Sequence, residues 1–140
     1  MTKILLIEDD VAFCKLLEKF LIKKSFEVTT AFSAAEAKSK VKNSEFDLII
    51  TDLRLPDYDG ILLMTEIKAI HPAVPVLLMT GYSDVSTAVK AIKNGAADYI
   101  SKPFNPEEVL LVINNALHSD SKELNNVASI SKSVKQATKK

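Results

Sequence analysis

The chain has 140 residues, 47% of them hydrophobic, and a formal net charge of zero. That is enough material for one domain with its own core. The balanced charge argues against a general affinity for nucleic acid or for a membrane surface.

The longest apolar runs are too short to cross a bilayer, and no signal-peptide pattern precedes the first of them, so a cytoplasmic protein without a membrane partner is expected. The single cysteine, Cys14, sits in a helical pattern and reads as a small buried core residue.

Taken in order, Ile4-Leu5-Leu6-Ile7 reads as a buried strand and leads directly into Glu8-Asp9-Asp10. Phe13, Leu17, Phe20 and Leu21 follow at helical spacing, with Asp10 as the expected N-cap. Glu27 to Ala31 predicts a second strand, and the Ala- and Lys-rich segment after Ser33 predicts a helix to about Lys42. Asp47-Leu48-Ile49-Ile50-Thr51-Asp52 is a strand ending in a carboxylate, followed by the loop Leu53 to Asp59. Gly60 opens a third helix, with Ile61, Met64, Ile67 and Ile70 on one side, which stops before Pro72. Pro75 to Thr80 gives a fourth strand, with Val76-Leu77-Leu78-Met79 ending in a hydroxyl. Ser83 or Asp84 is expected to cap a fourth helix running to Asn94, with Gly95 as its stop. Asp98 to Ser101 is a short fifth strand, ahead of Lys102-Pro103. Asn105-Pro106-Glu107-Glu108 carries the cap, proline and acids of a helix start, and that helix includes Val109, Leu110, Val112, Ile113, Ala116 and Leu117.

Strands alternating with helices predict an α/β fold, a doubly wound five-stranded parallel sheet. Residues 1–118 form the expected domain. Residues 119–140 hold five Lys against Asp120 and Glu123 and read as a lysine-rich linker or an extension of the fifth helix. Leu110, Ile113, Leu117, Leu124, Val127 and Val134 fit a heptad stripe, broken at Asp120 and Ser131, that would pair two copies.

In a parallel sheet the strand ends share one edge, so Glu8, Asp9, Asp52, Thr80 and Lys102 are expected to converge there. Taken singly, an Asp after a strand is usually a turn former or a cap. Five such residues at the ends of four strands point instead to a site. Clustered carboxylates repel one another and call for a cation, and oxygen-only ligands select a hard one, Mg²⁺ or alternatively Mn²⁺.

In this order and spacing, Ile4 to Asp10, Asp47 to Gly60, Met79-Thr80-Gly81, Gly95 to Tyr99 and Lys102-Pro103-Phe104 resemble the receiver domain of two-component response regulators. The resemblance implies a flavodoxin-like (βα)5 fold with strand order 2-1-3-4-5. It implies that Asp52 accepts a phosphoryl group from a sensor histidine kinase or phosphotransfer protein, without the chain being a turnover enzyme. Asp9, Glu8, Asp52 and the main-chain carbonyl of Arg54 would form the metal shell, and Lys102 would pair with the phosphoryl group. Thr80 and Tyr99 match a switch pair acting on the surface of the fourth helix, fifth strand and fifth helix. Lys102-Pro103 matches a peptide bond usually cis in the family. Arg54 and Tyr82 flank the route of attacking water and are expected to set the phosphoryl lifetime.

The segment around Met79 to Ala96 further resembles receivers joined to AAA+ ATPase-type transcription activators. Control of transcription would then pass to DNA through an effector domain absent from this chain. A stand-alone receiver, relaying phosphate or binding a partner protein, is the alternative output. An aspartyl-phosphate hydrolase would place a second acid two residues after the nucleophile, where this chain has Arg54.

Overall fold

The computed structural model describes residues 1–81 and 85–118. Its elements run β1 (Lys3–Ile7), α1 (Val11–Lys23), β2 (Glu27–Ala31), α2 (Ala34–Asn43), β3 (Leu48–Asp52), α3 (Gly60–Ile70), β4 (Val76–Thr80), α4 (Val85–Lys93), β5 (Asp98–Ser101) and α5 (Pro106–Leu117). The strands pair in parallel in the order β2-β1-β3-β4-β5. The chain therefore has the expected doubly wound receiver-type sheet.

Strand alternation splits the core in two. Leu5, Ile7, Ile49, Val76 and Leu78 face a layer built from α2, α3 and α4, with Ala37, Leu63, Met64, Ile67 and Ala91 buried against them. Ile4, Leu6, Leu48, Ile50, Leu77, Met79 and Ile100 face α1 and α5, where Cys14, Leu17, Leu21, Val109 and Ile113 pack. At roughly 1.5–3 kcal/mol for each fully buried large aliphatic side chain, these two layers supply the main drive to fold.

The helix starts follow from local chemistry. Asp10 accepts the N–H of Phe13 at 3.1 Å, and Asn105 accepts those of Glu107 and Glu108 at 2.9 and 3.1 Å. Ser33 takes the N–H of Glu36 at 3.2 Å, and the Glu36 side chain reaches back past the cap to the N–H of Phe32 at 2.8 Å. The proposed caps of α4, Ser83 and Asp84, lie outside the described residues, and so does Tyr82.

Three expectations need correction. The third helix buries Gly60, Leu63, Met64 and Ile67, whereas Ile70 is 46% exposed. Its apolar run is nearly continuous, so spacing alone did not fix which stripe faces inward. The fourth helix ends at Lys93, one residue before Asn94. The heptad stripe also fails within α5: Ile113 is fully buried against the chain's own sheet, and Leu117 packs on the same cluster. Ile113 is therefore not available to a second copy while α5 stays docked, whereas Leu110 and Leu117 are partly exposed. The stripe beyond Leu117 lies outside the described residues.

Candidate functional site

β1, β3 and β5 deliver Glu8, Asp52 and Lys102 to one sheet edge, all with the parity of the α1/α5 face. Glu8 is 1% exposed, and its Oε2 accepts the N–H of Asp10 at 3.0 Å. Lys102 Nζ lies 2.7 Å from Glu8 Oε1 and 3.2 Å from Asp52 Oδ2. Apart from that ion pair, Oε1 has no hydrogen-bond partner among the described residues. The Asp52 side chain is 13% exposed, so one face of it remains open to solvent. Asp9 stands at the exposed lip. Glu8, Asp9 and Asp52 each offer an oxygen within 4.8 Å of the others.

Burial pushes the Glu8 carboxyl up and the nearby Asp52 charge adds to this, with Lys102 and the Asp10 N–H pulling against it. Burial alone would lower Lys102, but the contact with Glu8 and the charge of Asp52 outweigh it and hold the ammonium above its usual range. Three carboxylates thus meet one ammonium. The oxygen-only donor set, the excess of negative charge and the under-satisfied Oε1 together fit a hard divalent cation.

Lys102 is further fixed by elements that sequence reasoning did not connect to it. Its N–H donates to the Thr80 carbonyl at 2.9 Å, and its ammonium lies 4.9 Å from the Phe13 ring centroid. Phe104 stands edge-on to Phe13 with centroids 5.8 Å apart and leans on Phe20 at 5.9 Å. The Lys102–Pro103 peptide bond is cis.

Thr80 reaches the same edge on the opposite face. It is 1% exposed, it shares parity with Leu78, and its hydroxyl donates to the Gly81 carbonyl at 3.2 Å rather than to Asp52. Tyr99 pairs with Leu78, which puts its half-buried ring on that same face. Convergence is therefore direct for the carboxylates and the ammonium, while Thr80 and Tyr99 leave their strands on the other face.

The loop after Asp52 is a small hairpin. Leu53 N–H donates to Met79 O at 2.9 Å, Gly60 N–H to Leu53 O at 2.8 Å and Leu55 N–H to Tyr58 O at 3.1 Å, with Arg54 bridged to Asp59. The side chain of Arg54 is exposed. Gly60 lies so close that a Cβ there would stand 2.4 Å from Asp52 O and 2.6 Å from Leu53 O. Only glycine lets α3 begin against the end of the acidic strand.

The chain is similar to known proteins in sequence and in fold. The family described as response regulator receiver domain matches residues 4–114, and the chain belongs to that family. The transcriptional regulatory protein ZraR of Escherichia coli K12 is 41% identical over 114 residues, covering 81% of this chain and 26% of that protein. The DNA-binding transcriptional regulator NtrC of Proteus hauseri is 37% identical over 131 residues, covering 91% of this chain and 28% of that protein. The chain thus spans about a quarter of the length of these curated relatives. Among solved structures, the receiver domain of NtrX from Brucella abortus superposes with a TM-score of 0.79 at 36% identity, covering 81% of this chain and 97% of that one. No helix among the described residues is long and apolar enough to cross a membrane.

Proposed function

We propose that Asp52 is the acceptor of a phosphoryl group delivered by a sensor histidine kinase or phosphotransfer protein. The observation that carries this reading is the placement of Asp52 Oδ2 at 3.2 Å from Lys102 Nζ, inside the three-carboxylate cluster at the sheet edge. The Asp52 oxygen attacks phosphorus and forms the O–P bond; the donor's N–P bond breaks and its electron pair returns to the imidazole. Glu8, Asp9, Asp52 and the Arg54 carbonyl would hold Mg²⁺, or Mn²⁺ in its place. When bound, the cation offsets the repulsion between the carboxylate and the phosphoryl oxygens. Lys102, already held between Glu8 and Asp52, neutralises charge on the transferred group.

The new phosphoryl group adds about −1.5 to −2 of charge and three strong acceptors. Thr80 turns its hydroxyl from Gly81 toward it, and Tyr99 follows into the space on that face. The change is felt on the surface of α4, β5 and α5, where a homodimer or a partner protein would read it. Output to DNA runs through an effector domain of the kind the curated transcription regulators suggest, and the chain works in the cytoplasm as an acceptor, with self-dephosphorylation as its only hydrolytic step.

Incubating the protein with acetyl phosphate, with and without Mg²⁺, tests the reading by intact mass. A Mg²⁺-dependent phosphoryl adduct absent from Asp52→Asn is expected. An adduct that persists in the mutant, or none in the wild type, would refute it.

A further inference from the structure

We infer that Asp57 and Tyr58 are positioning residues, fastening the far end of the hairpin after Asp52 to α2 and α3 so that the Arg54 backbone is held for the cation. The inference deepens the function proposed above and rests on that reading.

Arg54 sits between two fixed stretches of the hairpin. On its near side, Leu53 is tied to β4 through Met79 and to α3 through Gly60. On its far side, the chain reverses at Pro56-Asp57, where Leu55 N–H donates to Tyr58 O at 3.1 Å but the return bond, Tyr58 N–H to Leu55 O, is long at 3.4 Å. The tip therefore depends on what holds it from outside.

Two anchors do so. Asp57 accepts the N–H of Ala34 at 3.0 Å on one carboxylate oxygen and that of Ala35 at 3.1 Å on the other. These are N–H groups of the first turn of α2 that the Ser33 cap does not reach. They hold the Asp57 carboxyl below its usual range. Beside it, Tyr58 donates its hydroxyl to Glu66 Oε2 of α3 at 2.6 Å. Lys38 of α2 closes the group, 2.9 Å from Glu66 Oε1 and 3.9 Å from the Tyr58 ring centroid.

Each contact is near the surface and modest alone. Jointly they hold one turn to two helices at several points, which is what placing a carbonyl for a metal demands. Without them the hairpin is held by the bonds of Leu53 and the Arg54–Asp59 bridge, and the Arg54 carbonyl is less tightly placed.

Calorimetric Mg²⁺ titration of the full chain decides the matter, for wild type, Asp57→Ala, Asp57→Asn, Tyr58→Phe and Asp9→Asn, beside thermal midpoints without Mg²⁺. Asp57→Ala is expected to weaken Mg²⁺ binding by about tenfold and the charge-neutral Tyr58→Phe by roughly threefold. Asp57→Asn, which keeps an acceptor for one N–H, falls between wild type and alanine. The Mg²⁺ concentration for half-maximal modification by acetyl phosphate moves in step, while the rate at saturating Mg²⁺ stays within about twofold.

Unchanged affinity in both Asp57→Ala and Tyr58→Phe, with lowered thermal midpoints, would mean that the anchors only stabilise the fold and would overturn the inference. So would an Asp57→Asn indistinguishable from alanine together with a silent Tyr58→Phe, since charge alone would then explain the loss. Should Asp57→Ala not fold, Tyr58→Phe carries the decision. Wild type that binds no Mg²⁺ removes the inference and the proposed function together. Binding that Asp9→Asn abolishes, but that ignores positions 57 and 58, removes the inference alone.

Discussion

Cys14 lies fully buried on the inner face of α1, in one cluster with Ile4 and Leu6, and burial, with the charge of Glu18 adding, pushes its thiol from 9.0 up to about 11. A group whose folded pKa is raised contributes stability that is complete below its unfolded value and is lost as the pH climbs through the folded one. For Cys14 the window runs from pH 9 to about 11. Thiolate absorbance titrated in buffer and again in denaturant should show a native midpoint near the upper figure and an unfolded midpoint near the lower one. A native midpoint near 9 would contradict the burial argument. The role of Cys14 was legible because one small apolar side chain in a helical pattern has few alternatives. The setting of Lys102 was less so. Its partners Glu8 and Asp52 were expected from strand ends, but Phe13 comes from α1 and Phe104 from the turn after β5, and no spacing in the chain links either ring to the ammonium.

Two helices end in the same way with different residues. After α1, Phe26 N–H bonds to Leu21 O at 3.1 Å and Ser25 N–H to Ile22 O at 3.0 Å, with Ser25 at φ 74°. After α4, Ala96 N–H bonds to Ala91 O at 3.1 Å and Gly95 N–H to Ile92 O at 3.1 Å, with Gly95 at φ 117°. Both are Schellman closures, which ask for a left-handed residue. Ser25→Gly should therefore stabilise the protein by about 0.5–1 kcal/mol, and Gly95→Ala should destabilise it by roughly 1–2 kcal/mol. Urea unfolding of both variants checks this, and a destabilised Ser25→Gly would show that the serine has a role its backbone does not reveal. Gly95 was readable as a helix stop because glycine announces the conformation; Ser25 was not, since serine occurs in any turn. Asp57 escaped notice for a related reason. A cap is expected from the residues just before its helix, whereas this one comes from a loop 23 positions later in the chain.

At the scale of the molecule, the sequence already distinguished the centre of the sheet from its edges. β1, β3 and β4 bring the nearly unbroken apolar runs Ile4–Ile7, Leu48–Ile50 and Val76–Met79, as strands covered on both faces require. β2 and β5 are only partly buried and close the sheet on either side. Strand order itself came from the family resemblance, since alternating elements allow more than one winding. The described cores draw on side chains from Ile4 to Leu117. A fragment ending at His118 should therefore keep the thermal midpoint of the full chain to within about 2 °C, a shift below that of a 1 kcal/mol loss in a domain of this size. A drop of more than about 4 °C would instead place residues 119–140 in the folded unit. Light scattering on both forms, at high concentration and with a phosphoryl mimic, reports whether the tail pairs copies; equal monomer masses would end the heptad reading. The alternation of β4 has one more consequence. Thr80 and Met79 belong to opposite faces although they are neighbours in the chain. A single inserted residue ahead of Thr80 would reverse the face on which its side chain leaves the strand. Drift in length can thus accumulate in the loops of such a chain, while its strands must change by whole pairs or not at all.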